Sequence, residues 1–220
     1  FTRAPAIGLF YGACFTLMGW LLWAIFQHAP AYTLALSAGF LLMGPFLCLG
    51  LYDVSRQFER AERPVFAHSL RAWSTRTGTM AIFGGVLLIL EMLWGRAALI
   101  VFALSFDGMP DFGGSILKLF EPENLAFIVA YIAVGSVFAG LIFAISVISM
   151  PMILDRPTDA ITAGLSSLRL CFSQPGVMLL WGALVTLLVV LALLPWWGGL
   201  LVVGPVIGHA SWHAYRAAVP

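Results

Sequence analysis

Long apolar runs alternate with short polar connections along the whole chain. A helix needs about 20 mostly apolar residues to cross a hydrocarbon core ~30 Å thick, and six segments reach or approach that length. They cover residues 7–26, 33–52, 79–106, 125–154, 177–194 and 197–215. The pattern predicts an all-α polytopic membrane protein, in which six transmembrane helices form three hairpins and residues 1–220 form a single transmembrane domain.

The third segment has two interpretations, because Glu91 and Arg96 lie inside it and Gly95 stands between them. One long tilted helix can run to residue 106. Alternatively, a helix ends near Gly95 and a second piece lies along the outer interface. Both interpretations preserve the order of the spans.

Composition supports the membrane class and excludes others. Apolar residues make up 61% of the chain, charged residues make up 10%, and the mean hydropathy is +0.99. A soluble globular protein has about 25% charged residues, so this chain has too little charge to cover itself in water. The net charge of +1 gives no field that attracts nucleic acid. Membrane lipids are therefore the expected surroundings.

The basic residues of the connections predict the orientation. Nine arginines fall on one side of the six-span arrangement, and Lys118 falls on the other. Cytoplasmic loops carry the excess of Lys and Arg, so we expect both termini in the cytoplasm of a bacterium and the chain in its inner membrane. The nine are Arg3, Arg56, Arg60, Arg63, Arg71, Arg76, Arg156, Arg169 and Arg216.

A weak repeat relates the second, fourth and sixth spans. Gly44-Pro45 and Gly204-Pro205 are followed at equal spacing by Arg56 and Arg216, and Met150-Pro151 takes the same place in the fourth span. A proline inside a span frees one carbonyl and bends the helix. We therefore expect three bends that splay the inner ends of these spans.

Two short amphipathic helices are predicted after the second and fourth spans, at residues 66–73 and 161–172. Their apolar stripes recur at helical spacing, and such helices lie in the headgroup zone with their arginines toward anionic lipid. The stripes are Phe66, Leu70 and Trp73 in the first, and Ile161, Leu165, Leu168 and Phe172 in the second.

A polar cluster at the inner helix ends is the first candidate site. Acidic and basic residues alternate in it, which favours internal ion pairing over a phosphate-binding surface. Its members are Asp53, Arg56, Asp155, Arg156, Asp159, Arg169, His213 and Arg216.

Two ionisable residues inside the membrane form a second candidate site. Glu91 and Arg96 are costly there and are functional hypotheses by default. At five residues apart they differ by about 140° around a helix, so we expect them to pair with other helices or, for Arg96, to extend outward. Glu91 can relay protons, bind a cation or serve as a polar lock between helices.

His209 and His213 are a candidate metal site, because histidines at i and i+4 share one face of a helix. Zinc or copper accepts two imidazoles with a carboxylate, and Asp155 or Asp159 can supply it if the repeat holds. Haem ligation is a further option, and no cofactor is required by the sequence. The alternative is that the histidines and Trp212 form hydrogen bonds across helix ends and anchor the chain at the interface.

Several stretches resemble a known family. Residues 39–46 (GFLLMGPF), 149–156 (SMPMILDR) and 208–216 (GHASWHAYR) together are similar to the bacterial predicted integral membrane proteins of domain of unknown function family 2189. The resemblance implies a longer basic segment ahead of residue 1. It brings no catalytic assignment.

These observations favour a non-catalytic accessory, scaffold or assembly subunit of a larger membrane complex, with a respiratory complex as one option and other integral membrane subunits as partners. The chain has no nucleophile turn and no phosphate-binding loop, so an enzyme is not indicated. The alternatives are a small transporter or lipid-handling protein, and a metal-binding membrane protein that uses His209 and His213.

Overall fold

The described part of the chain folds into helices. The computed structural model describes residues 4–28, 33–106 and 121–219 and contains no strand within them. The predictions for Arg3 and Lys118 fall outside the described residues. The helices of the described part are α1 (Pro5–His28), α2 (Thr33–Glu59), α3 (Phe66–Leu70), α4 (Thr77–Ser105), α5 (Leu125–Ser146), α6 (Ser149–Asp155), α7 (Ala160–Ser173), α8 (Pro175–Leu193) and α9 (Leu200–Ala218).

Within the described residues, four helical segments are long and apolar enough to cross a membrane. They are Pro5–Ile25, Ala72–Ser105, Pro122–Asp155 and Pro175–Leu193. The prediction of an all-helical chain is confirmed. The two interpretations of the third predicted span are also resolved, because α4 continues through Gly95 to Ser105 as one helix.

The proline-containing segments behave in two ways. α2 continues through Pro45 and α9 through Pro205. The fourth predicted span is instead divided: α5 ends at Ser146, and α6 begins at Ser149, two residues before Pro151. The bend expected near Pro151 is therefore a full interruption of the helix.

A hydroxyl group from α7 fills this interruption. Ser167 Oγ donates to the Ala144 carbonyl oxygen at 2.7 Å and accepts from the Ile148 N–H at 3.4 Å. In an unbroken helix these two backbone groups would bond to each other. Ser167 is fully buried, so its hydroxyl satisfies these two backbone groups inside the packed bundle.

Ser167→Ala is therefore expected to lower the free energy of unfolding by about 2 kcal/mol, because it leaves the buried Ile148 N–H without a partner and the Ala144 carbonyl oxygen with only the weak Cys171 thiol donor at 3.8 Å. Ser166→Ala is the matched control: Ser166 lies one residue earlier and bonds only the Thr162 carbonyl of its own helix. The measurement is reversible denaturation in mixed micelles. Equal effects of the two substitutions would contradict the bridging role.

Glycines bring α1 and α9 into close contact. A Cβ at Gly12 would lie 2.0 Å from the carbonyl oxygen of Leu201. This is the carbonyl that Pro205, four residues later, leaves without its helical N–H. A Cβ at Gly19 would meet the Trp197 ring at 2.5 Å. Small residues allow helices in a membrane to approach this closely, so α1 is held against the last helix of the chain.

The core lies toward one end of the bundle. Large buried side chains there come from α2, α4, α6 and α9, among them Leu49, Phe83, Met150, Trp212 and Tyr215. α5 and α8 lie at the periphery: α5 has no buried residue, and Ala192 is the buried residue of α8. The core therefore holds the carboxyl ends of α2, α6 and α9 in fixed positions.

The two predicted amphipathic helices take different forms: the first is divided, and the second is one continuous helix. The first is α3 followed by a 3₁₀ turn, Ala72–Arg76. The second is α7, which buries its small residues, among them Ala163, Gly164 and Ser167. Most large apolar side chains of the predicted stripes, such as Trp73 and Phe172, are exposed, whereas Leu170 of α7 is buried. Their apolar stripes therefore face away from the bundle.

Candidate functional site

The carboxyl ends of α2, α6 and α9 meet, and an arginine at each end reaches a neighbouring helix. We call Arg56, Arg156 and Arg216 the arginine ring, and we call this part of the bundle the arginine end. Three helix ends bring three sets of unsatisfied backbone carbonyls together. Guanidinium groups stabilise such ends through hydrogen bonds and through the helix dipole.

Arg56 links α2 to α6. Its Nη1 donates to the Leu154 carbonyl oxygen at 2.8 Å, and its Nη2 donates to Asp53 Oδ1 at 2.5 Å. The other oxygen of Asp53 accepts from Gln57 Nε2 at 2.6 Å. Asp53 is only 3% exposed, so its carboxylate depends on these two partners.

Arg156 and Arg216 complete the ring. Arg156 Nη2 donates to the Val219 carbonyl oxygen beyond α9 at 2.9 Å. Arg216 Nη1 lies 3.3 Å from Asp155 Oδ2 of α6, and its Nε lies 3.3 Å from Glu59 Oε2 of α2. The three arginines thus connect α2 to α6, α6 to α9, and α9 to both α2 and α6.

Glu59, Trp212 and Tyr215 also belong to this cluster, although the predicted cluster did not include them. Trp212 Nε1 donates to Glu59 Oε1 at 2.9 Å, and the Tyr215 hydroxyl donates to Asp155 Oδ2 at 2.9 Å. The predicted second span ended at residue 52, whereas α2 continues to Glu59. The available signal was the helical spacing of Arg56 and Glu59, which continues the periodic pattern of the span.

Two predicted members of the polar cluster are not among these contacts. Asp159 is the N-cap of α7 and accepts from the Thr162 hydroxyl and backbone N–H at 2.6 and 2.9 Å. These hydrogen bonds hold the pKa of Asp159 below its usual range. Arg169 is exposed on the same helix. The remaining carboxylates of the cluster contact arginines, so the arrangement acts chemically as a set of ion pairs.

The two histidines of α9 have different partners. His209 Nδ1 lies 2.7 Å from Ser55 Oγ, and His213 Nδ1 lies 3.6 Å from Glu59 Oε1. Ser55 is only 2% exposed, so the Ser55–His209 bond connects α2 to α9 and does not present a nucleophile to a substrate. The described residues contain no group of three His, Cys, Asp or Glu side chains placed to hold a metal. The metal and haem hypotheses stay predictions.

The residues inside α4 do not form a pair. Glu91 is buried, and its Oε2 has no hydrogen-bond partner in the described part of the chain. Arg96 is exposed, as the outward extension of a long side chain requires. The described residues form three cavities, and the side chains that line them do not include Glu91, His209 or His213.

Comparison with known proteins gives one match. A family model described as "Predicted integral membrane protein (DUF2189)" matches residues 33–155, which is more than half of the chain. The matched part contains the resembling stretch 39–46 and all but the last residue of 149–156, whereas the stretch 208–216 lies beyond it. No curated protein and no solved structure matches the chain.

Proposed function

The chain belongs to the DUF2189 family of predicted integral membrane proteins, and from this premise we propose that it is a non-catalytic accessory or scaffold subunit of a larger membrane complex. The observation that carries the proposal is the exposure of α5. This helix buries none of its residues within its own chain.

We propose that six helices cross the membrane as three hairpins, α1–α2, α4–α5 and α8–α9, within one domain. The lengths of α2 and α9 support two further crossings. Their 27 and 19 residues extend about 40 and 29 Å at 1.5 Å per residue, enough for a ~30 Å core. The arginine end is proposed to face the cytoplasm of a bacterium, with both termini, because basic residues concentrate on that side.

The arginine end supports a structural role. Its carboxylates and guanidinium groups are bonded to one another and to helix ends, so they hold three helices together. Such an internally bonded set has little capacity for a substrate. We therefore assign the cluster to fixing the geometry of the bundle, and we look for the partner surface elsewhere.

A groove formed by α5, the end of α7 and the start of α8 is the proposed partner surface. It has a volume of about 260 Å³, and its lining includes Gly140, Phe143, Phe172 and Leu179. A Cβ at Gly140 would meet no atom within 4 Å, and Leu179 is 74% exposed. An open glycine beside large apolar side chains is the surface on which a second transmembrane helix packs closely.

The experiment combines photocrosslinking with native mass measurement. A photoreactive amino acid at Leu179 is expected to crosslink a defined protein subunit in native membranes. The same amino acid at Leu17, which is exposed on α1, is expected to crosslink lipid. Mild solubilisation should yield a complex heavier than the chain alone.

Gly140→Trp tests whether the groove holds the partner. It should release a folded monomer and abolish the Leu179 crosslink. Gly85→Trp is the control, because the space at Gly85 on α4 is also open. A wild-type chain that is monomeric in every mild detergent, with crosslinks to lipid alone, would overturn the accessory role.

A further inference from the structure

A cavity of about 530 Å³ lies between α2, α4 and the segment formed by α3 and the following 3₁₀ turn. We call it the α3 cavity. Its volume lies in the range of small-molecule sites, and its walls are largely apolar. Met43, Phe46, Leu70, Trp73 and Ala81 are among the side chains that line it.

The polar groups of the wall are already used. The Tyr11 hydroxyl donates to Ser69 Oγ at 3.1 Å, and Ser69 Oγ donates to the Phe66 carbonyl oxygen at 2.8 Å. Thr77 Oγ1 donates to the Ser74 carbonyl oxygen. A ligand inside the cavity therefore meets hydrocarbon, which suits an alkyl chain and does not suit a polar metabolite.

Arginines without ion-pair partners are neighbours in sequence of the residues that line this cavity. Arg71 stands between the lining residues Leu70 and Trp73, and Arg76 precedes the lining residue Thr77. Among the described residues neither arginine forms an ion pair, in contrast to the arginine ring. Two more arginines, at positions 60 and 63, lie just ahead of α3 and also have no ion pair in the described part.

We propose that the α3 cavity binds an acyl chain of an anionic phospholipid, whose phosphate pairs with Arg71 and Arg76. Apolar walls and unpaired cations in one segment complement the two parts of such a lipid. Basic groups beside a membrane attract anionic headgroups, and exposed Trp73 suits the interface at headgroup level. The proposal needs only the membrane location and is independent of the accessory role.

The test is native mass spectrometry of the full chain in micelles with graded phosphatidylglycerol or phosphatidylcholine. The wild type is expected to retain one phosphatidylglycerol in preference to phosphatidylcholine. Ala81→Trp fills the cavity and should lose the retained lipid. Ala103→Trp is the control, because Ala103 is exposed near the far end of the same helix and its replacement should keep the lipid.

The headgroup contact is tested by charge removal. Arg71→Gln is expected to weaken phosphatidylglycerol retention about fivefold, the effect of one basic group near the membrane surface. Arg96→Gln is the control: it also removes one positive charge, but from the second half of α4, which does not line the cavity, and it should leave phosphatidylglycerol retention unchanged. Equal retention of the two lipids by the wild type would overturn the proposal. So would equal lipid loss from the two tryptophan variants, or an Arg71→Gln variant that binds like the wild type, while circular dichroism shows all variants folded.

Discussion

Arg56→Met is expected to lower the free energy of unfolding by about 3–5 kcal/mol, because it leaves the buried carboxylate of Asp53 without its charged partner. Asp53 is almost fully removed from solvent, and Gln57 alone remains to bond it. The substitution also removes the donor to the Leu154 carbonyl oxygen at the end of α6. Reversible denaturation of the purified chain in mixed micelles measures the change.

Two controls separate the ion pair from a general loss of charge. Arg60→Met removes an arginine one turn later that forms no ion pair in the described part of the chain, and it should change stability by less than about 1 kcal/mol. The double variant Asp53→Asn, Arg56→Met should recover part of the loss, because no uncompensated charge then remains buried. Equal losses from Arg56→Met and Arg60→Met would contradict the proposed lock.

Gly12→Ala is expected to lower the free energy of unfolding by about 3 kcal/mol, the upper part of the range for overpacked sites. The added methyl group would lie 2.0 Å from the Leu201 carbonyl oxygen and within 3 Å of two further backbone atoms of that residue. A side chain could rotate away, but backbone cannot, so α1 must move away from α9. Thermal or chemical denaturation in micelles again provides the measurement.

Gly95→Ala gives the opposite expectation and is the matched control. The space at Gly95 inside α4 is open, so alanine removes backbone freedom from the unfolded chain and meets no obstacle. We expect it to raise stability by up to about 1 kcal/mol. If both alanine substitutions changed stability in the same direction, close packing of α1 on α9 would not explain the Gly12 result.

Most of the helix positions could be predicted from the sequence, because hydrocarbon-length apolar runs are distinctive. The predicted segments 7–26 and 177–194 differ from α1 and α8 by two residues or fewer at each end. The break between α5 and α6 was not predictable in the same way. It depends on Ser167, which is 19 residues away from Ile148 and reaches the gap only when α7 has packed.

The polar cluster was predicted in part. Repeat spacing placed Arg56 and Arg216 at equivalent helix ends, and the structure brings them to the same end of the bundle. The repeat also suggested Asp159 as a ligand beside the histidines of α9, whereas the structure makes it the N-cap of α7. Its helix begins after the turn at Pro157, so the register of the repeat does not continue to that position.

The apolar runs and the lack of charge determined by themselves that this is an all-helical chain suited to a membrane. In hydrocarbon every backbone polar group must be satisfied internally, and helices meet that requirement residue by residue. Tertiary structure alone decided which face of each helix packs inward. Lipid is as apolar as leucine, so hydrophobicity does not choose between faces. The fit between helix surfaces chooses the inward face instead. In α7 the small residues Ala163, Gly164 and Ser167 face inward, and Phe172 lies outside.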